Sequence, residues 1–421
     1  MLNRYSKDRV LLFIIGMFFV ISLLGIYSAQ STQQYSGNFL IKQLMWYGVG
    51  TAAMLLVALV NVPAATRYLA WPGYIVGLAL LIGLNFLPAS GSLITAPVIN
   101  GTQGWYEIAG LGAFQPSELM KIFLIVALAS VIHSHKQKGK DEEDKTGGRL
   151  FLKMILVWAI PSVLVLEQPD IGTVLVYLSI LFVMLIISGI NLKVIGSILL
   201  VILGGLGLFF LLFFQFPSVL ELVLKKYQLA RLSGWLEPFQ HAETSGFQLV
   251  QSLSVIGDGK LSGAGYLATE THLPEAHSDF IFTIISGEFG FIGAAVLLLL
   301  YFVLIARMIN IAFTSVHPVN RYIITGIIGM ITFHVFENIG MTIGLLPITG
   351  IPLPFISYGG SSLLANMAAV GIVLSVYSHS DGKDLPRRKT IREIKNRLNL
   401  VTWLMYSLLL ILLIRLAIVM L

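Results

Sequence analysis

The chain consists mostly of long apolar runs, and its polar positions fall in short segments between them. Ten runs approach the roughly 20 residues that a helix needs to cross a bilayer. They do not alternate with the period of two that is typical of membrane strands, so the pattern predicts helices and not a barrel. The ten predicted spans are 10–29, 43–62, 67–87, 116–133, 151–167, 171–190, 194–214, 280–306, 322–346 and 357–378.

An eleventh apolar run, 401–421, closes the chain. Two interpretations of this run stay open. Either it crosses the membrane, which places Arg415 at membrane depth, or it lies alongside the bundle. The first span follows a basic stretch, as in a signal peptide, but its core is too long and no cleavage site follows, so we expect a retained span. The predicted domains are a ten-span domain at 1–380, a basic cytoplasmic segment at 381–399 and an extra helix at 400–421.

The composition agrees with this pattern. Hydrophobic residues make up 56% of the 421 positions and charged residues 11%, with a mean hydropathy of +0.86. A soluble protein would carry about a quarter charged residues. We therefore expect an all-α, polytopic membrane bundle of ten transmembrane helices plus the C-terminal one. The absence of cysteine excludes disulfides, thiolate nucleophiles and cysteine-ligated metals.

The positions of lysine and arginine predict the orientation. With the N-terminus in the cytoplasm and ten alternating spans, 20 of the 27 basic residues fall in cytoplasmic segments and five in outer segments. Cytoplasmic loops carry this excess in membrane proteins. Both ends of the ten-span body are therefore predicted to be cytoplasmic, and the net charge of +6 reflects topology and not nucleic-acid binding. The basic segment after span ten is expected to lie on anionic membrane lipids.

Three predicted outer segments differ from ordinary connections. Pro88–Gln115 is rich in glycine and serine, and its Trp105 suits a membrane interface. The extracytoplasmic loop between helices 7 and 8, at 215–279, has about 65 residues, where helix connections usually have about 2–8. Pro347–Ile356 contains three prolines, which fix its backbone. The length of the second segment indicates a function or a cover over a site.

Ionisable residues at membrane depth are costly and therefore mark candidate functional sites. Glu118 and Lys121 open the fourth span, and their spacing of three places them on one helix face. Gln115 and Ser117 lie beside them in sequence. Two interpretations stay open: an ion pair that assists membrane insertion, or the wall of an outward-facing polar cavity.

Two aspartates lie where a predicted span begins. Asp170 is placed to cap the sixth helix, although a role near a substrate stays open. Asp279 directly precedes the eighth span, and Glu275 and His277 lie within five residues of it. A helix cap needs less ionisable chemistry than this, so Asp279 is a candidate both for a cap and for a catalytic group.

Several other motifs carry no chemistry. The glycine clusters at 257–259 and 263–265 follow no predicted strand, so dinucleotide binding is not expected. The chain contains no Walker A sequence, which argues against ATP hydrolysis. The small residues at 357–362 lack a nucleophile elbow and are expected to let the tenth span approach its neighbours. Glu288 and Glu337, inside spans eight and nine, are expected to form structural hydrogen bonds or to pair with buried cations.

Four sequence blocks resemble the signature of the SEDS (shape, elongation, division and sporulation) family. The longest is NIGMTIGLLPITGIPLPFISYGGS at 338–361. The others are QPSE at 115–118 with Lys121, QPDIGT at 168–173, and 248–252 leading to LPEAHSDF at 273–280. The resemblance covers about residues 10–380 and is greater to the rod-shape branch of the family than to its division branch.

The resemblance implies a ten-span glycosyltransferase that polymerises lipid II into peptidoglycan at the outer face of a bacterial plasma membrane, for cell elongation and shape. It also implies a class B penicillin-binding protein, a monofunctional transpeptidase, as partner, and in some members a divalent cation (magnesium or manganese). The essential aspartate of the family corresponds to Asp279. Ser278 stands where threonine is commoner, and Gly287 precedes Glu288 where a second acid is common, but neither difference removes the carboxylate.

Lipid II carries its own diphosphate leaving group, so the expected reaction needs a base, a counter-charge and a groove for the polyprenyl tail. Asp279 is expected to be the general base, as an ordinary carboxylate with a pKa of about 3.9. Lys121, Arg231 or a bound cation is expected to balance the diphosphate, and direct inversion at the anomeric carbon is expected. The residues predicted to bind the substrate or to support the site are Glu118, Lys121, Trp105, Gln115, Ser117, Asp170, Arg231, Glu275, His277 and Ser357.

Two other functions are compatible with a multi-span bundle: a flippase for lipid-linked precursors and a non-catalytic scaffold for a transpeptidase. The crowding of polar residues in the outer half and the lack of an inverted repeat in the sequence argue against a flippase. In a scaffold, substitutions of Asp279 would act only through assembly of the complex. Polymerisation in detergent, where no second compartment exists, separates a polymerase from a flippase.

Overall fold

The structure is a computed structural model that describes residues 8–31, 37–98, 102–108, 112–137, 147–221, 226–269, 271–379 and 388–421. It is a bundle of long helices with one small antiparallel sheet. The helices are α1 (Arg9–Ser31), α2 (Phe39–Ala58), α3 (Val62–Gly83), α4 (Pro116–Gln137), α5 (Gly148–Glu167), α6 (Ile171–Ser188), α7 (Leu192–Gln215), α8 (Pro217–Glu221), α9 (Lys226–Leu236), α10 (Phe247–Gly259), α11 (Ile281–Thr314), α12 (Pro318–Thr342), α13 (Gly360–Ser378) and α14 (Arg388–Met420). The strands, in sheet order, are β1 (Ile94–Thr95), β2 (Tyr106–Ile108) and β3 (Gly112–Phe114).

The predicted helical bundle is confirmed. Within the described residues, eleven helices are long and apolar enough to cross a membrane, namely α1–α7 and α11–α14. Two of them, α2 and α12, begin four residues before their predicted starts. These helices start earlier because the side chains of Asn38 and His317 cap them by accepting hydrogen bonds from backbone N–H groups of the first turn.

Helix α12 lies at the centre of the bundle, and α7 lies at its edge. The neighbours of α12 include α4, α6, α11, α13 and α14, and 22 of its 25 residues are buried. In α7, by contrast, the buried residue is Ile195. A helix surrounded by others can carry polar side chains only where neighbouring helices or loops supply hydrogen-bond partners. We therefore expect the polar side chains of α12 to form contacts inside the bundle.

The described residues of the segment 216–280, namely 216–221, 226–269 and 271–280, lie at one end of the bundle, which we call the loop face. It contains α8, α9 and α10. Helix α10 packs against α11, and the Ser252 hydroxyl lies 2.6 Å from the Thr283 hydroxyl and donates to the Thr342 carbonyl at 2.9 Å. The sheet, which the sequence pattern did not predict, is joined to α3 because the Tyr106 hydroxyl donates to the Leu80 carbonyl at 2.6 Å.

Helix α11 is broken near the loop face. Gly290 has φ +64°, a conformation that L side chains rarely adopt, and an added Cβ there would clash with the backbone of Gly263. The loop that follows α10 hydrogen-bonds to the backbone at the break: Phe291 N–H donates to the Lys260 carbonyl at 2.8 Å. Glu288, as expected, forms structural hydrogen bonds here, from the Ser28 hydroxyl and from Leu267 N–H at 3.0 Å.

Helix α14 runs the full height of the bundle. At the end opposite the loop face, the Arg397 guanidinium donates to the carbonyls of Ile186, Gly189 and Ile190, at 2.8–3.1 Å. At the loop face, the Val419 carbonyl lies beside Gly257, near the C-terminal end of α10. The helix therefore runs along the bundle from one end to the other, and its residues Lys395–Met420 are long and apolar enough to cross a membrane. Its buried side chains are Leu398, Val401, Met405, Leu409, Leu412, Leu416 and Met420.

Candidate active site

Asp279 lies in the turn that leads into α11 at the loop face. Phe280 is the residue that precedes the first helical residue, and no side-chain hydrogen bond caps the helix. Asp279 is therefore not the helix cap, which was one of its two predicted roles. Within the described part of the chain, no group donates a hydrogen bond to its carboxyl. The carboxyl is thus free to accept a proton from another molecule.

The backbone around Asp279 is held by the proline-rich turn between α12 and α13. The Asn338 amide Nδ2 donates to the carbonyls of Asp279 and Ile351, at 2.8 Å each. Gly350 has φ +77°, and an added Cβ there would lie 3.1 Å from Asp279 Oδ2. Glycine is required at this position both for the backbone conformation and for the close approach to the carboxyl.

The electrostatic surroundings of Asp279 change its proton affinity. Burial, together with repulsion from Glu275 and Asp170, raises the pKa of the Asp279 carboxyl from 3.8 to about 7. The expectation of an ordinary, fully ionised carboxylate was therefore wrong, because local sequence does not reveal how far a turn is enclosed by neighbouring segments. A pKa near neutrality suits a general base better than the ordinary value.

The other ionisable residues of the turn have structural contacts. The buried His277 ring stacks on Phe39 with a centroid distance of 4.1 Å, and burial lowers the pKa of His277 although Glu275 opposes the shift. Ser278 Oγ donates to Glu275 Oε2 at 2.8 Å. The Ser357 hydroxyl donates to the Ser278 carbonyl at 2.6 Å. These contacts attach the turn, which also carries Asp279, to α2 and to the segment that follows the proline-rich turn.

The first turns of α4 carry a buried ion pair. Lys121 Nζ lies 2.6 Å from Glu118 Oε2, and their side chains are 2% and 4% exposed. Such a pair is enclosed by the bundle, unlike a pair at a lipid interface. On α12, His334 Nε2 lies 2.8 Å from the same ammonium. His334 was not among the site residues predicted from the sequence.

Asp170 joins α4 to α6. As predicted for a cap, its Oδ1 accepts from Thr173 N–H at 2.9 Å, and its Oδ2 accepts from the Thr173 hydroxyl at 2.7 Å. Gln115 Nε2 also donates to Oδ2 at 3.1 Å, while Gln115 N–H donates to Ser361 Oγ at 2.9 Å. Buried Ser117 contributes its carbonyl, which accepts from the Tyr177 hydroxyl at 2.9 Å. The predicted polar group at the start of α4 is thus brought together with Asp170.

Electrostatic coupling joins the two groups into one site. Burial raises the pKa of Asp170, Glu118 raises it further and Lys121 opposes the shift; Asp170 in turn raises the pKa of Asp279. On α12, Glu337 Oε1 accepts from the Thr349 hydroxyl at 2.9 Å. Since Thr349 precedes Gly350, Glu337 supports the backbone next to the Asp279 carboxyl.

Two predicted site residues lie apart from this group. Trp105 is half-buried beside β2, and Arg231 is exposed on α9; among the described residues, neither forms a hydrogen bond or ion pair with the other site residues. Their roles stay predictions. The described side chains contain no cluster of three or more histidine and carboxylate ligands suited to a metal ion, so the donor set present does not fit a protein-held divalent cation.

Three contributors to the site were missed from sequence. Asn338 and Gly350 lie inside the longest motif, but their roles depend on contacts with Asp279, 59 positions away in the case of Asn338. His334 precedes that motif by one helical turn, and the partial signal for it was a histidine three residues before Glu337 in an apolar span. A polar residue at membrane depth is a functional candidate, and this rule would have identified it.

Comparison with known proteins gives the same family for most of the chain. The family model FTSW_RODA_SPOVE, described as cell cycle protein, matches residues 7–382. The chain is similar to stage V sporulation protein E of Bacillus subtilis, with 34% identity over 90% of this chain and 99% of the relative. It is equally similar, at 34% over 90% and 95%, to peptidoglycan glycosyltransferase MrdB of Escherichia coli K12. A probable peptidoglycan glycosyltransferase FtsW of Coxiella burnetii is 33% identical over 81% and 87%.

Solved structures agree in fold. The rod shape determining protein RodA of Thermus thermophilus matches with a TM-score of 0.60 and 27% identity, over 90% of this chain and 98% of that chain. A chain from a structure described as "Structural coordination of polymerization and crosslinking by a peptidoglycan synthase complex" matches with a TM-score of 0.70 and 29% identity, over 89% and 99%. The resemblance found in the sequence motifs is confirmed. The chain is a multi-pass membrane protein of the FtsW/RodA/SpoVE family.

Proposed function

We propose that Asp279 is the general base with which this protein polymerises lipid II into glycan strands. The protein is a peptidoglycan glycosyltransferase, as its relatives MrdB and FtsW are named. One observation supports the proposal above the others: the Asp279 carboxyl accepts no hydrogen bond within the described residues and has a pKa of about 7. A carboxyl in this state can take up a proton near neutral pH.

In the proposed reaction, a hydroxyl oxygen of the acceptor sugar attacks the anomeric carbon of the donor lipid II. The hydroxyl proton passes to the Asp279 carboxylate as the new carbon–oxygen bond forms. The bond between the anomeric carbon and the diphosphate oxygen breaks, and the diphosphate leaves on its polyprenyl chain with the electron pair. Direct displacement inverts the anomeric carbon. A well-placed general base contributes about 10²–10⁴-fold to such a step.

Lys121 is the proposed counter-charge for the departing diphosphate. Its ammonium is buried and paired with Glu118 at 2.6 Å, and its field reaches Asp170 in the same site. Positive charge fixed in an enclosed site stabilises developing negative charge more strongly than it would in water. Gln115 and Asp170 hold the start of α4, which carries Lys121, against α6.

The cellular setting follows from topology and family. We propose that the loop face is the outer face of the bacterial plasma membrane and that the N-terminus is cytoplasmic, as the distribution of basic residues predicts. The proposed partner is a class B penicillin-binding protein, and the proposed process is cell elongation and shape. The similarity to a chain of a peptidoglycan synthase complex supports a partner of this kind.

The test is polymerisation of purified lipid II by detergent-solubilised protein, with glycan chains resolved on gels. Asp279→Asn keeps the size of the side chain but cannot accept the proton, and it should lower the rate at least 100-fold. The matched control is Asp258→Asn. Asp258 lies in the last turn of α10 in the same segment, and its carboxylate is not among the charges that raise the pKa of Asp279. This variant should retain the wild-type rate.

Folding of Asp279→Asn is checked by its melting temperature at pH 8. Since burial disfavours the Asp279 carboxylate, its contribution to stability decreases as pH rises through about 7. The neutral amide removes this cost, so the variant should melt no lower than wild type at pH 8. Polymerisation at near wild-type rate by Asp279→Asn would exclude Asp279 as the base, and loss of the fold would show a structural role instead.

A further inference from the structure

The ammonium of Lys121 is held from two sides inside the bundle. On its own helix, Glu118 Oε2 lies 2.6 Å away. From α12, His334 Nε2 lies 2.8 Å away, and His334 is fully buried. Helices α4 and α12 are neighbours in the bundle, so this contact joins the start of α4 to the helix that also carries Asn338.

The hydrogen bond of His334 Nδ1 determines whether Nε2 donates or accepts. His334 Nδ1 lies 2.7 Å from the Met330 carbonyl, one turn back on α12. A carbonyl oxygen can only accept, so Nδ1 carries the hydrogen. The lone pair of the neutral ring is then on Nε2, and it faces the ammonium of Lys121, which can only donate. The two contacts are therefore compatible with one tautomer, the neutral ring with the proton on Nδ1.

The Lys121 ammonium therefore has two close partners, the Glu118 carboxylate in an ion pair and the His334 ring nitrogen at hydrogen-bonding distance. Within the described ranges no further acceptor lies at hydrogen-bonding distance. A buried ammonium is stable only where acceptors surround it. An acceptor on each of two helices fixes the position of the charge, which a single flexible lysine side chain could not do by itself.

We infer that His334 is a positioning residue that holds the Lys121 ammonium so that an N–H not directed to His334 is available to an oxygen of the diphosphate leaving group. The inference rests on the proposed function of Lys121. His334 itself touches neither the sugar nor the diphosphate; it acts only through Lys121. Its neutral ring adds no charge to the site, so the positive charge near the diphosphate comes from Lys121.

A double-mutant cycle on the full-length protein tests the inference, with purified lipid II as substrate. The variants are His334→Leu, Lys121→Met and the double variant. If His334 acts through Lys121, His334→Leu should lower kcat about 10–100-fold in the wild-type background, as expected for loss of one hydrogen bond to a charged group. In the Lys121→Met background it should lower kcat less than about twofold, since residues in one network are not additive.

A conservative variant separates positioning from packing. His334→Gln offers an amide oxygen to Lys121 and should keep kcat within about threefold of wild type. The loss in His334→Leu should fall on kcat with little change in KM for lipid II, because the diphosphate gains charge only as its bond breaks. If His334→Leu does not give folded protein by gel filtration, His334→Met replaces it throughout the cycle.

The outcomes distinguish this inference from the proposed function. If Lys121→Met polymerises lipid II at the wild-type rate, the proposed role of Lys121 fails, and with it the basis for the inference. If Lys121→Met is impaired but His334→Leu lowers kcat by the same factor in both backgrounds, His334 does not act through Lys121 and the inference alone is overturned. A low rate in His334→Gln equal to that of His334→Leu would likewise overturn it.

Discussion

The pH dependence of polymerisation tests the raised pKa of Asp279. A general base works in its ionised form, so the rate should fall as the pH drops below its pKa. With a pKa of about 7, about half of the carboxyl is ionised at pH 7 and about 1% at pH 5. The value of kcat/KM should therefore fall about 100-fold from pH 8 to pH 5. A carboxyl with the ordinary pKa of 3.8 would lose less than about a tenth of its ionised form over this range.

Glu275→Gln identifies the group that titrates. The substitution removes one of the two negative charges that raise the pKa of Asp279, and it keeps an oxygen to accept the hydrogen bond from Ser278. A pair of charges of which one is exposed interacts by up to about 1 kcal/mol, or a little under one pKa unit. Since Glu275 is exposed, solvent screening reduces this. The acid limb should move to lower pH by about half a unit.

The assay is the initial rate of glycan synthesis from lipid II in detergent between pH 5 and pH 9. Wild type and Glu275→Gln use the same substrate, so titration of the substrate cancels in the comparison. Glu243→Gln removes an equally exposed carboxylate of the same segment that has no part in the Asp279 shift, and it should leave the limb in place. A wild-type limb below pH 5, or a limb near pH 7 that Glu275→Gln leaves unmoved, would refute the assignment.

Two further predictions follow from contacts at the two ends of the bundle. Gly350→Ala places a Cβ about 3.1 Å from Asp279 Oδ2 and should lower turnover more than tenfold. The control is Gly344→Ala, where φ is also positive but the added Cβ makes ordinary contacts of 3.7 Å with leucine side chains. Both variants should lose about 1–2 kcal/mol of stability from the backbone strain, but Gly344→Ala should retain turnover, and equal turnover in the two would contradict the prediction. Arg397→Ala removes three hydrogen bonds to the end of α6 and should lower the free energy of unfolding by about 1–3 kcal/mol; the exposed Lys395→Ala is its control, and equal melting temperatures of the two variants would show that Arg397 contributes nothing.

Much of the fold could be predicted from the sequence because a membrane span is encoded locally. About 20 consecutive apolar residues suffice to predict a helix, and the motif blocks supplied the family. The starts of α2 and α12 were misplaced because their first turns contain polar or proline residues, although Asn38 and Pro318 are themselves helix-start signals. The path of α14 was left open because it depends on which helices its buried side chains meet.

The candidate site could be predicted only in part. Local sequence shows which residues are ionisable and which share a helix face, but not which distant residues surround them. Glu118 and Lys121 were paired by their spacing of three on one helix, and the ion pair is present. His334 joins them through a contact between residues 213 positions apart. The pKa of Asp279 depends on burial by segments from several parts of the chain, and local sequence does not contain this information.

The contrast between Asp170 and Asp279 explains why only one of them suits proton transfer. Burial raises the pKa of both carboxyls. Asp170 accepts hydrogen bonds from Thr173 N–H, the Thr173 hydroxyl and Gln115 Nε2, and hydrogen bonds to a carboxylate favour its charged form. Asp279 has no such bond within the described residues, and the negative charge of Asp170 further raises its pKa. The two carboxyls of one site thus differ in environment, a difference that enzymes use to give neighbouring acids different roles. The Asp170 carboxyl accepts the hydrogen bonds that hold α4 against α6, and Asp279 is the group whose proton occupancy changes near neutral pH.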